Sequence, residues 1–190
     1  MENNAIVWKY LYGKLKNPYG AAALMGNLFA ESSLNPINAN GVKKLGLTNT
    51  QYTAMTDNGE NDFVNDGIAY GLVQWCHHGR KQRLLDFAKA HNKSVGDINL
   101  QLDYLWEELQ KYKTVMKALI EATNIKDASD VVLLKYEKPA NQSDSIKLKR
   151  ASYGQRYYDM FCPKEETRIS FNISKINAKE LYENLRKSLE

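Results

Sequence analysis

The stretch that decides the fold is residues 26–36, GNLFAESSLNP, which forms the predicted end of an apolar helix and carries one carboxylic acid, Glu31. Asn17 is the predicted N-cap of this helix, and Pro18 follows at the first helical position, where its missing N–H costs nothing. The residues after it are apolar around most of the circumference, which is typical of a buried helix. Pro36 disfavours helical geometry at the residue before it, so the helix is predicted to end there, with Glu31 in its last turn.

The position of Glu31 makes it a candidate general acid. The carbonyl end of a helix carries partial negative charge, and the predicted neighbours Phe29 and Leu34 are apolar. Both features disfavour the ionised carboxylate. A carboxyl that keeps its proton near neutral pH can donate that proton to a leaving group. The alternative is a solvated surface residue, which is the commoner fate of a glutamate at a helix end.

Length and composition predict one soluble globular domain with a small appendage. The chain has 190 residues, of which 43% are hydrophobic and 25% are charged. No apolar run approaches the roughly 20 residues of a membrane helix, so no membrane insertion is predicted. The net charge of +4 suits an anionic partner, but the basic residues are scattered and do not predict nucleic-acid binding. The N-terminus lacks the pattern of a signal peptide, which predicts synthesis in the cytoplasm.

The periodicity of the chain predicts a mainly α (α+β) fold over residues 1–162. Helices are expected at about residues 4–16, 18–33, 48–57, 79–91, 97–112 and 115–120, then from an Asp127 cap to before Pro139, and at 144–161. The main β signal is Asp66-Gly67, read as the two-residue turn of a β-hairpin whose second arm runs into residues 71–75. Residues 163–190 are expected to add a strand and a helix, as a C-terminal extension or a linker to a further domain.

Residues downstream of Glu31 could complete a site that cleaves a glycosidic bond. That reaction usually needs a second carboxylate besides the proton donor. Asp66 is the first candidate because the predicted hairpin turn would carry it over a cleft, and Asp57, Glu60 and Asp62 are its rivals. On the following arm, aromatic rings could stack on sugars, an amide could bind them, and a glycine could admit them; these residues are Tyr70, Gly71, Gln74 and Trp75. Taken singly, each of these residue types is more often structural than functional.

Two motifs resemble the lysozyme superfamily, in the branch that holds goose-type lysozymes and soluble lytic transglycosylases. They are Glu-Ser-Ser-Leu-Asn-Pro from Glu31 and Gly-Leu-Val-Gln-Trp from Gly71. A longer pattern resembles bacteriophage tail lysozymes and related endolysin domains, and it extends in consistent order from about Ala5 to Cys162. Its further segments are residues 44–48, 57–59, 61–64, 80–81, 136–139 and 150–153.

The resemblance implies a two-lobed lysozyme-like fold with a small β-hairpin beside the catalytic helix. It also implies a peptidoglycan substrate, cut between N-acetylmuramic acid and N-acetylglucosamine. Glu31 matches the family's catalytic acid and Gln74 matches the Gln of its groove motif. Asp66 is nearest to the hairpin Asp of goose-type enzymes, whereas Cys76 stands where some of them have another Asp. That departure leaves a single-acid transglycosylase open. Tyr153 is a further candidate, reaching the groove from the last helix.

These observations favour a muramidase that acts as a phage endolysin or a tail-associated lysin, with inversion at the anomeric carbon. The alternatives are a lytic transglycosylase on the same fold and a non-catalytic wall-binding virion module. The enzyme would reach the wall through a membrane pore or as part of a virion. No cofactor is expected, and no metal, because Cys76-His77-His78 lacks a third ligand at zinc spacing. Residues 163–190 could mediate oligomer formation.

Overall fold

The computed structural model describes residues 3–162 and Glu180, and the predicted strand and helix of the C-terminal extension lie outside these residues. The described part is mainly α. Its helices are α1 (Asn3–Leu15), α2 (Pro18–Ser32), α3 (Asn49–Asn58), α4 (His78–Ala90), α5 (Ile98–Leu109), α6 (Lys113–Ile120), α7 (Ile125–Val132) and α8 (Asp144–Phe161). Two short strands, β1 (Ala39–Asn40) and β2 (Ala69–Tyr70), pair antiparallel. A 3₁₀ turn covers Val42–Leu45, and a π-helical turn, Leu133–Glu137, follows α7.

Helix α2 is the central element of the fold, as its apolar sequence predicts. Its residues from Gly20 to Leu28 are all buried. The Asn17 side chain caps its start by accepting hydrogen bonds from the backbone N–H groups of Tyr19 (2.9 Å) and Gly20 (3.1 Å). Ser33 ends it in the left-handed conformation, φ 56°. Glu31 therefore occupies the last turn, at the point where the helix leaves the core.

Helices α2 and α8 cross where two glycines face each other. A Cβ on Gly26 would lie 2.5 Å from the backbone nitrogen of Gly154 and 2.5 Å from the carbonyl oxygen of Arg150. A Cβ on Gly154 would in turn lie 2.8 Å from the carbonyl oxygen of Ala22. The two backbones can approach this closely only without side chains, and the approach brings Arg150 of α8 next to Glu31.

The β-hairpin is small and adjoins α2, but its predicted turn at Asp66-Gly67 was wrong. The reversal occurs at residues 71–74, where Tyr70 and Trp75 exchange backbone hydrogen bonds of 3.0 and 2.9 Å. Gly71 and Gln74 supply the positive φ angles of this turn, 78° and 54°. Asp66 instead accepts a hydrogen bond from the backbone N–H of Ile68, a local turn that does not pair two strands.

The helix boundaries mostly agree with the predictions, because they follow from caps and periodicity. Thr48 and Gln51 form the predicted capping box of α3, and Asp97 caps α5. The predicted Asp127 cap of α7 was wrong: Asn124 is the cap, and it accepts a hydrogen bond from the Asp127 backbone. Among the described residues, no helix is both long and apolar enough to cross a membrane.

Candidate functional site

Glu31 forms an ion pair with Arg150 at the end of α2. Arg150 Nη2 lies 2.5 Å from Glu31 Oε1, and the two side chains are 9% and 20% exposed. Arg150 also donates through Nη1 to Asn27 Oδ1 (3.3 Å), and the buried Asn27 amide donates in turn to Ser129 Oγ of α7 (2.9 Å). These contacts of the guanidinium fix the Glu31 carboxyl in position.

The turn of residues 71–74, which carries the Gly-Leu-Val-Gln motif, lies directly against the end of α2. Ser32 Oγ donates to the carbonyl oxygen of Leu72 (3.0 Å), and the Leu72 N–H donates to Gln101 Oε1 (2.9 Å). Gln101 Nε2 also holds the segment after α2, through the carbonyl of Pro36 (2.7 Å). The structure therefore brings together the two motifs on which the resemblance depends.

Gln74 lies in this turn, and its side-chain amide nitrogen already donates two hydrogen bonds within the protein. Its Nε2 donates to the carbonyl oxygens of Asn38 and Gly71, both at 3.0 Å. Its Oε1 is buried and has no hydrogen-bond partner within residues 3–162. Gln74 therefore shapes the turn, and a direct contact between its oxygen and a sugar remains a prediction.

Tyr70 and Trp75 flank the turn and Gly71 begins it, and the burial of all three argues against their predicted role in binding sugars. Both rings are 0% exposed. The Tyr70 hydroxyl pairs with Thr53 Oγ1 (2.8 Å), and Trp75 Nε1 donates to Glu108 Oε2 (3.1 Å). Gly71 is also buried, because a Cβ there would lie 2.6 Å from the Gln101 side chain. The three residues support the site and present no surface for stacking.

Asp66 lies in a cluster with Lys81 and Tyr52, and its role as the second catalytic acid stays a prediction. Its Oδ1 lies 2.5 Å from Lys81 Nζ, and its Oδ2 accepts a hydrogen bond from the Tyr52 hydroxyl (2.5 Å). Lys81 is 0% exposed; burial lowers its pKa, which Asp66 partly opposes. Asp66 neutralises a buried lysine.

The three rival acids also serve local structure. Asp57 Oδ1 accepts a hydrogen bond from the backbone N–H of Val95 (2.9 Å), which lies 38 residues further along the chain. Glu60 accepts one from Asn58, and Asp62 accepts one from Asn65.

Glu137 is a site residue that sequence reasoning missed. It ends the π-helical turn, and its Oε1 is buried without a hydrogen-bond partner within residues 3–162. Burial, and then the negative charge of Glu31, raise the pKa of Glu137 to about 8. One signal pointed to it, because Glu137 lies in residues 136–139, one of the segments that resemble the phage lysozyme pattern. The direction of the Glu137 side chain could not be deduced from the sequence, because the π-helical turn interrupts the 3.6-residue period of the helix.

The sequence model of the phage tail lysozyme family matches residues 2–161. The chain belongs to this family. The match covers nearly the span over which the sequence motifs resembled it, and it confirms that prediction. The lysozyme domain therefore has a lysozyme-like function that acts on peptidoglycan. No protein with a curated description matches the chain.

A buried polar network underlies the site of the lysozyme domain, and the sequence did not predict it. Arg80 makes two hydrogen bonds to Glu108, at 2.8 and 2.6 Å, and the Tyr136 hydroxyl donates to the same carboxylate (2.6 Å). Burial alone would raise the pKa of Glu108, but Arg80, Tyr136 and Trp75 together lower it. The network fixes the π-helical turn against α4 and α5, and so fixes the backbone next to Glu137.

Tyr153 of α8 lies one turn from Arg150, near the mouth of the site. Its ring meets Phe29 edge to face, with centroids 4.7 Å apart. Together with Ala30, Lys149 and Arg150 it lines a pocket of about 150 Å³. This pocket adjoins the last turn of α2. Tyr153 is therefore suitably placed for the predicted contact with substrate, which stays a prediction.

The Cys76-His77-His78 segment caps α4. His77 Nδ1 accepts a hydrogen bond from the Gly79 N–H (3.2 Å), and the two imidazole rings lie 4.3 Å apart. In the part of the chain that the structure describes, no three histidine, cysteine or acidic residues are arranged to hold a metal ion.

Proposed function

We propose that this domain is a muramidase that hydrolyses the β-1,4 bond between N-acetylmuramic acid and N-acetylglucosamine, with Glu31 as the general acid. One observation supports the proposal above the others: Glu31 emerges from the core at the end of α2, beside the turn that carries the Gly-Leu-Val-Gln motif. The family membership supports the substrate class. The most economical biological role is that of a phage endolysin or a tail-associated lysin.

In the proposed reaction, Glu31 donates its proton to the glycosidic oxygen as the C–O bond breaks. The electron pair of that bond leaves with the oxygen, and positive charge develops on the muramic ring. Water then adds to the anomeric carbon and restores the proton to the site. Arg150 contributes before and after proton transfer. It holds the Glu31 carboxyl in place, and it stabilises the carboxylate that proton donation leaves behind.

A lytic transglycosylase is the second candidate, and the environment of Asp66 favours it. A hydrolase of the two-carboxylate type needs a second acid at the cleft, and Asp66 is committed to Lys81 and Tyr52 instead. Cys76 occupies the other place where goose-type enzymes can have an acid. A transglycosylase needs one acid only, because the 6-hydroxyl of the muramic ring replaces water as the nucleophile.

Mass analysis of digested peptidoglycan tests the proposal. A muramidase yields muropeptides with reducing muramic ends, whereas a transglycosylase yields anhydro ends, lighter by one water. Reducing ends that require an intact Glu31 would support the proposal. Anhydro ends would replace it with the second candidate. A protein that binds the wall and releases no fragment would be a binding module, and it would contradict both.

A further inference from the structure

A surface pocket of about 370 Å³ lies between the start of α6 and the π-helical turn, and four lysines line it. They are scattered in the sequence, but the fold gathers their side chains, all exposed, around one cavity: Lys111, Lys113, Lys135 and Lys138. The described residues of the lining include no acid. Like charges around one cavity repel each other, so this arrangement is unfavourable unless an anion offsets it.

The four ammonium groups have no carboxylate partner within residues 3–162, where the lysine ion pairs are formed by Lys81, Lys93, Lys117, Lys126 and Lys147. Acids that are close to the pocket in sequence are engaged elsewhere. Glu108 is bound by Arg80, and one oxygen of Glu137 is buried. Glu107 lies towards Tyr10 of α1, whose pKa it raises. The positive charge of the pocket is therefore available to an external anion.

The start of α6 adds to this positive charge. Its N-cap residue, Tyr112, provides no side-chain hydrogen bond, and its first turn holds no acidic residue. Lys113 occupies the first helical position, although a cation is unfavourable at the positive end of a helix. The first backbone N–H groups of a helix have no partner within it, and residues 113–115 line the pocket. An anion in the pocket can accept hydrogen bonds from these groups.

We propose that this pocket binds the phosphodiester groups of the polyol phosphate polymers that are attached covalently to peptidoglycan in many bacterial walls. The proposal rests on the function proposed above only for the cell wall as the place of action. Lysine ammonium groups are compact point charges that suit phosphate oxygens. The pocket holds the domain on the wall while Glu31, at the end of α2, acts on the glycan.

The residues around the pocket disfavour two other polyanions. Single-stranded nucleic acids stack their bases on exposed aromatic faces, whereas Tyr112 is half-buried and meets Tyr136 edge to face, with centroids 5.1 Å apart. Amphipathic segments that bind membranes combine lysines with exposed apolar side chains. The aliphatic residue of the described lining, Val115, is 0% exposed.

Cosedimentation with purified cell walls tests the proposal, with Glu31→Gln in every protein so that the proposed reaction does not digest the walls. Half of the walls are first treated with hydrofluoric acid, which cleaves phosphodiesters and leaves the glycan. The protein with its pocket lysines should bind intact walls roughly tenfold more tightly than treated walls, because four exposed charge contacts each contribute modestly. Substitution of all four pocket lysines by glutamine should abolish this preference.

The matched control replaces four exposed lysines elsewhere and should keep the preference for intact walls; its substitutions are Lys16→Gln, Lys43→Gln, Lys44→Gln and Lys89→Gln. Lys16 is matched to Lys138, since both have a positive φ, 56° and 49°. An equal loss in the two quadruple variants would show an effect of net charge alone and would overturn the proposal. An unchanged preference in the pocket variant would also overturn it, as would tighter binding of the unsubstituted pocket to phosphatidylglycerol vesicles than to intact walls.

A second measurement uses the wild-type protein and needs no variant that folds. Titration with glycerol 3-phosphate should shift the backbone amide NMR signals of residues 113–115 and saturate, whereas glycerol should leave them unchanged. Shifts no larger there than at the control lysines would contradict the proposal. A failure of the proposed function is seen separately, as soluble fragments released from walls by Glu31→Gln, and it leaves the phosphate site intact.

Discussion

Gly26 of α2 and Gly154 of α8 face each other so closely that a Cβ on Gly26 would lie 2.5 Å from the Gly154 backbone nitrogen. This contact determines how near Arg150 comes to Glu31. The geometry of the catalytic carboxyl therefore depends on a backbone crossing about one and a half helical turns below it.

Gly26→Ala should destabilise the domain and reduce activity. The added methyl meets backbone atoms, which cannot rotate away, so the helices must separate, and overpacking of this kind costs about 1–3 kcal/mol. Separation also lengthens the Glu31–Arg150 contact. Gly13→Ala is the matched control: it lies in helix α1, and a Cβ there meets nothing within 4 Å, so stability should rise slightly. Urea unfolding and clearing of purified peptidoglycan measure both effects. Equal stability in the two variants would contradict the account.

Asp66→Asn should reduce stability through Lys81 and not through the chemistry. Removing one partner of a buried pair leaves an uncompensated charge and costs about 3–5 kcal/mol. The double variant Asp66→Asn/Lys81→Met removes that charge and should recover most of the lost stability. Clearing activity, measured below the melting temperature, should recover with it. A double variant that is stable and inactive would restore Asp66 as a catalytic acid.

Gln74 allows its two possible roles to be separated by a pair of substitutions. Both Gln74→Ala and Gln74→Gly remove the hydrogen bonds to Asn38 and Gly71. Only glycine tolerates φ 54° without strain, so Gln74→Gly should be more stable than Gln74→Ala. If the amide binds sugar, both variants should lose activity equally when each is assayed below its own melting temperature. Activity that follows stability alone would make Gln74 a structural residue.

The stability of the domain should decline as the pH rises through the range between the unfolded and folded pKa values of Glu137. Burial and Glu31 raise its pKa from 4.5 to about 8, so between those values the folded state retains a proton that the unfolded state has lost. The contribution of Glu137 to stability is therefore complete below about pH 4.5 and lost by about pH 8. Thermal melts of wild type and Glu137→Gln across this range test the sign. The variant should show the shallower decline, and parallel curves would count against the assignment.

Most of the helical framework could be predicted from the sequence, because caps and periodicity are local. Three helix starts follow from N-cap residues alone, without any tertiary contact; these caps are Asn17, Thr48 and Asp97. The prediction of a hairpin turn at Asp66-Gly67 was wrong for the same reason. The local turn signal was real, but it could not show that the side chain of Asp66 pairs with the distant Lys81. Strand β1 is only two residues long and has no periodicity to detect.

The candidate site was predicted in part, and the missing parts depend on long-range packing. Glu31 and the Gly-Leu-Val-Gln turn were placed side by side by their resemblance to lysozymes. Arg150 and Glu137 were not assigned roles, because Arg150 reaches Glu31 from 119 residues away in sequence and Glu137, which senses the charge of Glu31, lies 106 residues away. Tyr70 and Trp75 were expected at the surface, since an aromatic residue next to a glycine gives no indication of its burial.

The measurement that tests the central claim most directly is the rate at which Glu31→Gln clears purified peptidoglycan, compared with the wild-type rate at the same pH. Gln keeps the size of Glu31 and can still accept a hydrogen bond from Arg150, so the variant should remain folded, with a cooperative thermal transition. General-acid catalysis typically contributes about 10²–10⁴-fold, and a loss of that size is the predicted result. A folded Glu31→Gln that clears peptidoglycan at nearly the wild-type rate would contradict the account.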